Sequence, residues 1–280
     1  WFLELGYKEV FFKKLVTQLQ FFVPALVALF LLFYLYLNSI NAHSIKLSGM
    51  ILTNAEKKAR TKLFVLSSLG LSFILSLIFV TDIWYDFLIF INKTPFGLAD
   101  PIFGKDIGYF IFSLPFLNKL YNYLLVLVFA VAAVTFTFNI FSFFASRAAS
   151  GNFDMSERPI SYSRDTYGKI LRTASKQLIL LGAVFFLILA FGFYLRTFAL
   201  LYSPRGVAYG ASFTDVNITL PSYYIYMGIC ILTAILLMLT RNKKRIKPIV
   251  FGPLLLAAVM IISGVVYGLV QSIIVAPNEI

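Results

Sequence analysis

Residues 54–80 read NAEKKARTKLFVLSSLGLSFILSLIFV, a short basic stretch followed by eighteen residues without a charge. A helix needs about 20 largely apolar residues to cross roughly 30 Å of hydrocarbon. The stretch therefore predicts a transmembrane helix with a basic boundary at one end. Similar uncharged runs recur along the chain and predict six spans, at residues 18–39, 62–81, 120–145, 176–198, 221–240 and 248–275.

The composition indicates the same class of protein. Of the 280 residues, 60% are hydrophobic and 13% are charged, whereas soluble domains average about 25% charged residues. We therefore predict an all-α fold, a polytopic bundle of six transmembrane helices with ordered extracytoplasmic loops.

Basic residues are distributed unevenly among the gaps between the apolar runs. One alternate set of gaps holds sixteen basic residues and four acids, and the other set holds eight of each. Because positive charge accumulates on the cytoplasmic side, we predict that residues 46–62, 147–176 and 241–247 are cytoplasmic. Trp1 and Ile280 are then extracytoplasmic, in a multi-pass protein of the cell membrane. The predicted partners of the basic loops are anionic lipid headgroups, not nucleic acid.

Two of the predicted extracytoplasmic connections are rich in aromatic and turn-forming residues. The first connector, residues 100–116, reads DPIFGKDIGYFIFSLPF, and the second connector, residues 202–222, reads YSPRGVAYGASFTDVNITLPS. We expect Asp106 to cap a short interfacial helix that Pro115 ends. Exposed aromatic loops of this kind favour a binding surface. Its candidate residues are Asp100, Phe103, Gly104, Asp106, Tyr109, Tyr202, Arg205, Gly206, Asp215 and Asn217.

Motifs for catalysis and metal binding are absent from the sequence. There is no Gly-rich phosphate loop, no paired cysteine and no nucleophile elbow. The single Cys230 and the single His43 do not make a metal site. We therefore predict no catalytic residue, no metal and no cofactor, which favours a non-enzymatic role and leaves enzymatic activity open.

The uncharged cores of these spans, which exclude Lys62, Lys176 and Arg196, contain small polar residues but no Asp, Glu, Lys, Arg or His. Such ionisable residues inside a membrane usually mark proton or ion paths. Ser67, Ser68, Ser72 and Ser76 form one stripe at helical spacing. Close packing of helices through small residues is the favoured interpretation of this stripe, and a substrate path is the alternative.

Four stretches of the chain resemble one protein family. They are WFLELGY at residues 1–7, the first connector, LLYSPRGVAYGASFTDVNITLP at residues 200–221, and APNEI at residues 276–280. The chain resembles uncharacterised protein family 0182, large multi-pass membrane proteins of bacteria and some archaea. The resemblance implies a seven-span membrane region followed by a large extracytoplasmic domain. We thus expect one preceding span and that domain to lie outside these residues.

The family resemblance implies no activity. A function can therefore be inferred only from the residues of this chain. They favour a membrane platform that anchors and positions the large extracytoplasmic domain, with a role in the cell envelope. The alternative is a transporter or channel for a neutral or lipidic substrate, which requires a cavity lined by Ser, Thr and Asn. A membrane-embedded enzyme is the third possibility, and it requires acids that converge on a metal.

Overall fold

The computed structural model describes residues 6–48, 53–151, 161–204, 209–240 and 247–278. In these ranges the chain is helical apart from its connections, which include one isolated antiparallel bridge between Ala99 and Asp106. Six helices are long and apolar enough to cross a membrane, which confirms the predicted all-α fold. The long helices are α1 (Lys8–Ser48), α2 (Asn54–Ile91), α3 (Leu114–Gly151), α4 (Ser161–Ala199), α5 (Leu220–Thr240) and α6 (Lys247–Val270).

Several helices extend well beyond the predicted spans. Helix α2 has 38 residues, about 57 Å at 1.5 Å per residue, whereas only residues 62–81 were predicted to be in the membrane. Its extra turns begin at Thr53, which forms a capping box with Glu56. Hydropathy marks the part of a helix that contacts lipid, but capping residues and good helix formers such as Ala, Lys and Glu decide where the helix itself begins.

The helices belong to two compact units. The first unit comprises Trp1–Asn92 and Ala133–Ala174, and the second comprises Lys93–Ala132 and Ser175–Ile280. Helix α3 therefore begins in the second unit and ends in the first, and α4 does the reverse.

In the first unit, α1 and α2 pack side by side. Ser68, Ser72 and Ser76 of α2 are completely buried, and the Ser76 hydroxyl donates to the Ser72 carbonyl oxygen at 2.6 Å. The Tyr36 and Thr135 hydroxyls form a 2.5 Å hydrogen bond between α1 and α3. The burial of Ser68, Ser72 and Ser76 agrees with close packing through small residues, whereas Ser67, the fourth residue of the predicted stripe, is exposed.

In the second unit, consecutive helices are neighbours. A Cβ atom at Gly192 of α4 would lie 2.5 Å from the Tyr121 ring of α3. A Cβ atom at Gly252 of α6 would clash with the Thr233 side chain of α5. Helices α4 and α5 share an apolar core around the completely buried Cys230. Glycines at the two crossings allow the helix backbones to approach closely.

Three π-helical turns mark helix ends in the second unit, at Tyr109–Ser113, Asp215–Thr219 and Gln271–Val275. One residue separates each turn from a proline, namely Pro115, Pro221 or Pro277. A π turn bonds each N–H to the fifth carbonyl back, as the Leu114 N–H does to the Tyr109 oxygen. It locally interrupts the α-helical ladder next to a residue that has no N–H to donate. The expectation that Pro115 ends its helix was therefore wrong, since α3 continues to Gly151.

Candidate functional site in the second unit

Charged and polar side chains mark one membrane boundary of the second unit. Lys176 and Arg196 of α4 are 20 residues apart, and a helix of that length rises about 30 Å, the thickness of the hydrocarbon. Because Tyr121 contacts Gly192, Asn118 and Lys119 of α3 lie near the level of Arg196. We call Asn118, Lys119 and Arg196 the polar band.

The second unit continues beyond this band. Phe193 packs on Tyr226 of α5 at 5.2 Å between ring centroids, and the Tyr226 hydroxyl hydrogen-bonds Ser263 of α6. These contacts place Phe193, Tyr226 and Ser263 at one level of α4, α5 and α6. The chain therefore lies on the far side of the polar band after Arg196, after Ser263 and before Tyr223. We call residues 93–117, 197–204, 209–222 and 265–278 the connector layer. Its last range overlaps the predicted span at residues 248–275 and the candidate span Val250–Asn278.

Asp100 and Gly104 shape the first turn of the first connector. Asp100 Oδ2 accepts the N–H groups of Ile102 at 2.9 Å and Phe103 at 2.7 Å. The Gly104 N–H donates to the Asp100 carbonyl oxygen at 2.8 Å. Gly104 has φ +63°, in the left-handed region that glycine enters without steric cost. The predicted turn at Asp100 and Gly104 thus has a local chemical cause.

Asp106 organises the rest of the first connector through backbone groups. Its Oδ1 accepts the N–H groups of Phe96 at 3.1 Å and Gly108 at 2.7 Å, and its Oδ2 accepts that of Gly97 at 2.8 Å. These bonds, of which that from Phe96 has the largest effect, lower the pKa of Asp106 below its ordinary value of 3.8. A Cβ atom at Gly108 would lie 2.8 Å from Asp106 Oδ1. Asp106 therefore caps the following helix, as predicted, and also holds the chain that precedes it.

Aromatic rings attach the first connector to the end of α4. The rings of Phe103 and Tyr109 lie 5.0 Å and 5.2 Å from the Phe198 ring. Lys105 Nζ lies 4.5 Å from the Tyr109 ring centroid and 5.3 Å from that of Phe198. Phe110 and Phe198 are buried in the same apolar cluster. Ring contacts therefore hold the first connector against the end of α4.

The second connector is organised around a buried carboxylate. Asp215 is completely buried at the start of a π turn. Its Oδ2 accepts the Ser212 hydroxyl at 2.9 Å, and its Oδ1 accepts the Thr219 hydroxyl at 3.4 Å. The Asp215 N–H donates in return to Ser212 Oγ at 3.2 Å. A buried acid is stabilised when hydrogen bonds satisfy its oxygens.

A longer-range bond joins the second connector to α6. Thr214, also completely buried, donates through Oγ1 to Gln271 Oε1 at 2.8 Å. Thr214 Oγ1 also lies 3.0 Å from Ser212 Oγ. Gln271 begins the third π turn. One polar network therefore connects two of the three π turns.

The predicted interface residues fall into separate groups. Asp100, Phe103, Gly104, Asp106 and Tyr109 come together in the first connector, as the hydrogen bonds and ring contacts above show. In the second connector Asp215 is buried, whereas Tyr202 and Asn217 are exposed. Arg205 and Gly206 lie outside the described residues. From their aromatic and turn-forming content we also expect the two connectors to pack directly against each other, which stays a prediction.

Sequence reasoning missed Phe198, Thr214 and Gln271. Phe198 was counted as the last residue of a span, although it holds the first connector. Thr214 and Gln271 are 57 residues apart, and their pairing follows from the antiparallel packing of α5 and α6. The sequence did contain one signal that the two connectors share local structure. Thr219-Leu220-Pro221 repeats the pattern of Ser113-Leu114-Pro115, and each tripeptide follows an aspartate.

The connector layer displays apolar side chains on this ordered frame. Tyr209 is 89% exposed and Ile273 is 67% exposed. Phe213, Ile111 and Leu98 are exposed as well. Among the described residues no three His, Cys, Asp or Glu side chains are placed to hold a metal ion. The connector layer therefore offers a partner an apolar contact surface whose backbone is held in one conformation.

The sequence pattern of the Uncharacterised protein family (UPF0182) matches residues 1–280. The chain is 34% identical over 280 residues to a UPF0182 protein of Alkaliphilus metalliredigens, and 32% identical over 279 residues to one of Clostridium perfringens. Both matches cover 100% of this chain but 30% and 29% of those relatives, so the chain spans about a third of their length. No solved structure matches. The match along its whole length shows that the chain belongs to the uncharacterised protein family UPF0182.

Proposed function

We propose that this region is a membrane platform that anchors and positions a large extracytoplasmic domain of the same polypeptide, with a role in the cell envelope. The observation that carries the proposal is the connector layer, which is ordered, lies beyond the polar band and exposes apolar side chains. Ile111 precedes Asn118 by seven residues, a rise of about 10 Å along a helix. Contiguous exposed apolar side chains beyond the hydrocarbon are typical of an interaction surface.

The relatives supply a candidate for that covering protein. About 70% of the length of the Alkaliphilus protein lies outside the part that this chain matches. A segment of that size on the same polypeptide has a high effective concentration near the layer, so docking requires only modest intrinsic affinity. The exposed Tyr209 and Phe213 suit such an interface, where aromatic residues contribute much of the binding energy.

Photo-crosslinking tests the proposal with a matched pair of positions. Phe213 in the connector layer and Phe129 within a span are 58% and 61% exposed. p-Benzoylphenylalanine replaces each residue in the polypeptide at its natural length in its own membrane. Position 213 should crosslink to the same polypeptide outside residues 1–280, and position 129 only to lipid. Lipid crosslinks at both positions, or a different protein at position 213, would contradict the proposal.

The orientation of the platform has a separate test. In a Cys230→Ser background, cysteines that replace Asn92 or Asn217, which are both exposed, should react with a membrane-impermeant maleimide in intact cells. A cysteine that replaces Thr53 should react only after the cells are opened. The reverse labelling pattern would place the connector layer in the cytoplasm and exclude an extracytoplasmic partner.

The transporter alternative receives less support from the described polar residues. Ser68, Ser72 and Thr135 are completely buried, and the Ser72 hydroxyl donates to the Leu69 carbonyl oxygen at 3.0 Å. Such burial and such bonds are those of residues at helix contacts. They favour the platform, whose membrane part needs a stable bundle.

A further inference from the structure

The first turns of α2 carry a basic cluster in line with a lipid-facing stripe. Lys58 and Lys62 are one helical turn apart, and the same line continues through Leu66, Leu69 and Phe73. All five side chains are exposed, with Leu66 at 69%. One face of the helix therefore presents two ammonium groups directly above a continuous apolar surface.

The charged residues near Lys58 and Lys62 do not neutralise the positive charge of this pair. Glu56, the one acid in residues 54–80, accepts both the N–H and the hydroxyl of Thr53 through Oε2 at 2.9 Å. Arg60 points to the opposite side, where its Nη1 donates to Asn41 Oδ1 at 3.2 Å. The face that carries Lys58 and Lys62 therefore attracts anions.

We propose that this face of α2 binds an anionic phospholipid. The phosphate lies against the Lys58 and Lys62 ammonium groups, and an acyl chain lies along Leu66, Leu69 and Phe73. From Lys62 to Phe73 the helix rises about 16 Å, which equals the hydrocarbon depth of one leaflet. A zwitterionic lipid fits the apolar stripe equally well, so the lysines supply the preference for negative charge. The site lies in the first unit and is independent of the platform proposal.

Lipid titration of the purified protein in a neutral detergent tests the site. Phosphatidylglycerol and phosphatidylcholine are compared by native mass spectrometry, and inorganic phosphate is added in a third arm. The double variant Lys58→Gln/Lys62→Gln should bind phosphatidylglycerol about 10- to 30-fold more weakly and phosphatidylcholine unchanged, because each lysine near an anionic headgroup contributes about 1 kcal/mol. The variant Lys58→Arg/Lys62→Arg should restore the preference.

The chain offers a matched control at the other end of the first unit. Lys8→Gln/Lys13→Gln removes the same charge from the first turns of α1 and should leave the preference for phosphatidylglycerol intact. Equal weakening by both double variants would show a general charge effect and overturn the site. So would unchanged binding in Lys58→Gln/Lys62→Gln. Competition by millimolar inorganic phosphate as strong as that by the lipid would also overturn it, since the apolar stripe would then contribute nothing.

Discussion

The two connectors use the same local elements for different purposes. Each combines an aspartate, a π turn and a Leu-Pro pair. In the first connector Asp106 lies near the surface and accepts three nearby backbone N–H groups. In the second connector Asp215 is completely buried among hydroxyl groups, and its neighbour Thr214 reaches Gln271 on another helix. Both aspartates therefore shape local structure, and in the second connector the neighbouring Thr214 adds the bond to another helix.

The largest effect is expected at the buried aspartate. Asp215→Ala removes the buried carboxylate that accepts the Ser212 and Thr219 hydroxyls, which should cost about 2–3 kcal/mol of unfolding free energy. Asn217→Ala, in the same π turn but exposed, is the control and should cost under about 0.5 kcal/mol. Denaturation in mixed micelles measures both. Equal losses would show that burial does not distinguish the two positions.

A smaller effect is expected for the bond between the second connector and α6. Thr214→Val and Gln271→Leu remove its donor and its acceptor, and a double-mutant cycle should give a coupling free energy of about 1 kcal/mol. A coupling free energy of zero in the same denaturation assay would mean that the second connector, like the first, is held only by local bonds. The difference between the two connectors described above would then be contradicted.

For the first connector we expect a local response to pH. Because the folded-state pKa of Asp106 lies below 3.8, its carboxylate stabilises the loop fully above that value, and the stabilisation is lost as the pH falls through the folded-state pKa. Hydrogen exchange of peptides that cover residues 94–109, corrected for the intrinsic rate at each pH, should accelerate in that range.

Asparagine substitutions sharpen the same test. Asp106→Asn should accelerate exchange at neutral pH because both carboxylate oxygens accept hydrogen bonds. Asp100→Asn should not, because Asp100 uses Oδ2 alone as a side-chain acceptor and an amide retains one oxygen. Identical behaviour of the two variants would contradict the assigned role of Asp106.

The smallest effect is expected from the cation–π contact of the first connector. Lys105→Met keeps the apolar stem of the side chain and removes its charge from the Tyr109 and Phe198 rings. The unfolding free energy should fall by about 0.5 kcal/mol. A loss as large as that of Asp215→Ala would show that the aromatic cluster depends on the charge rather than on packing.

Much of this architecture follows from the sequence because its causes are local. Charge-free runs predict spans, and Asp-Pro with Gly104 predicts a turn. Hydropathy predicts spans and not helix ends, because lipid contact and helix formation have different limits, as at Thr53. Pro115 was misjudged because a π turn compensates for its missing N–H. The Thr214–Gln271 bond was not predictable because it depends on the packing of two helices.

The platform proposal requires that the connector layer stand outside the hydrocarbon, available to a protein partner. Spin labels on cysteines that replace Ile111 and Phe129, in a Cys230→Ser background in lipid bilayers, test it most directly. Their collision rates with oxygen and with a water-soluble nickel chelate report depth. The label at position 111 should favour the nickel chelate and that at position 129 should favour oxygen. Preference for oxygen at both positions would place the layer in lipid and contradict the account.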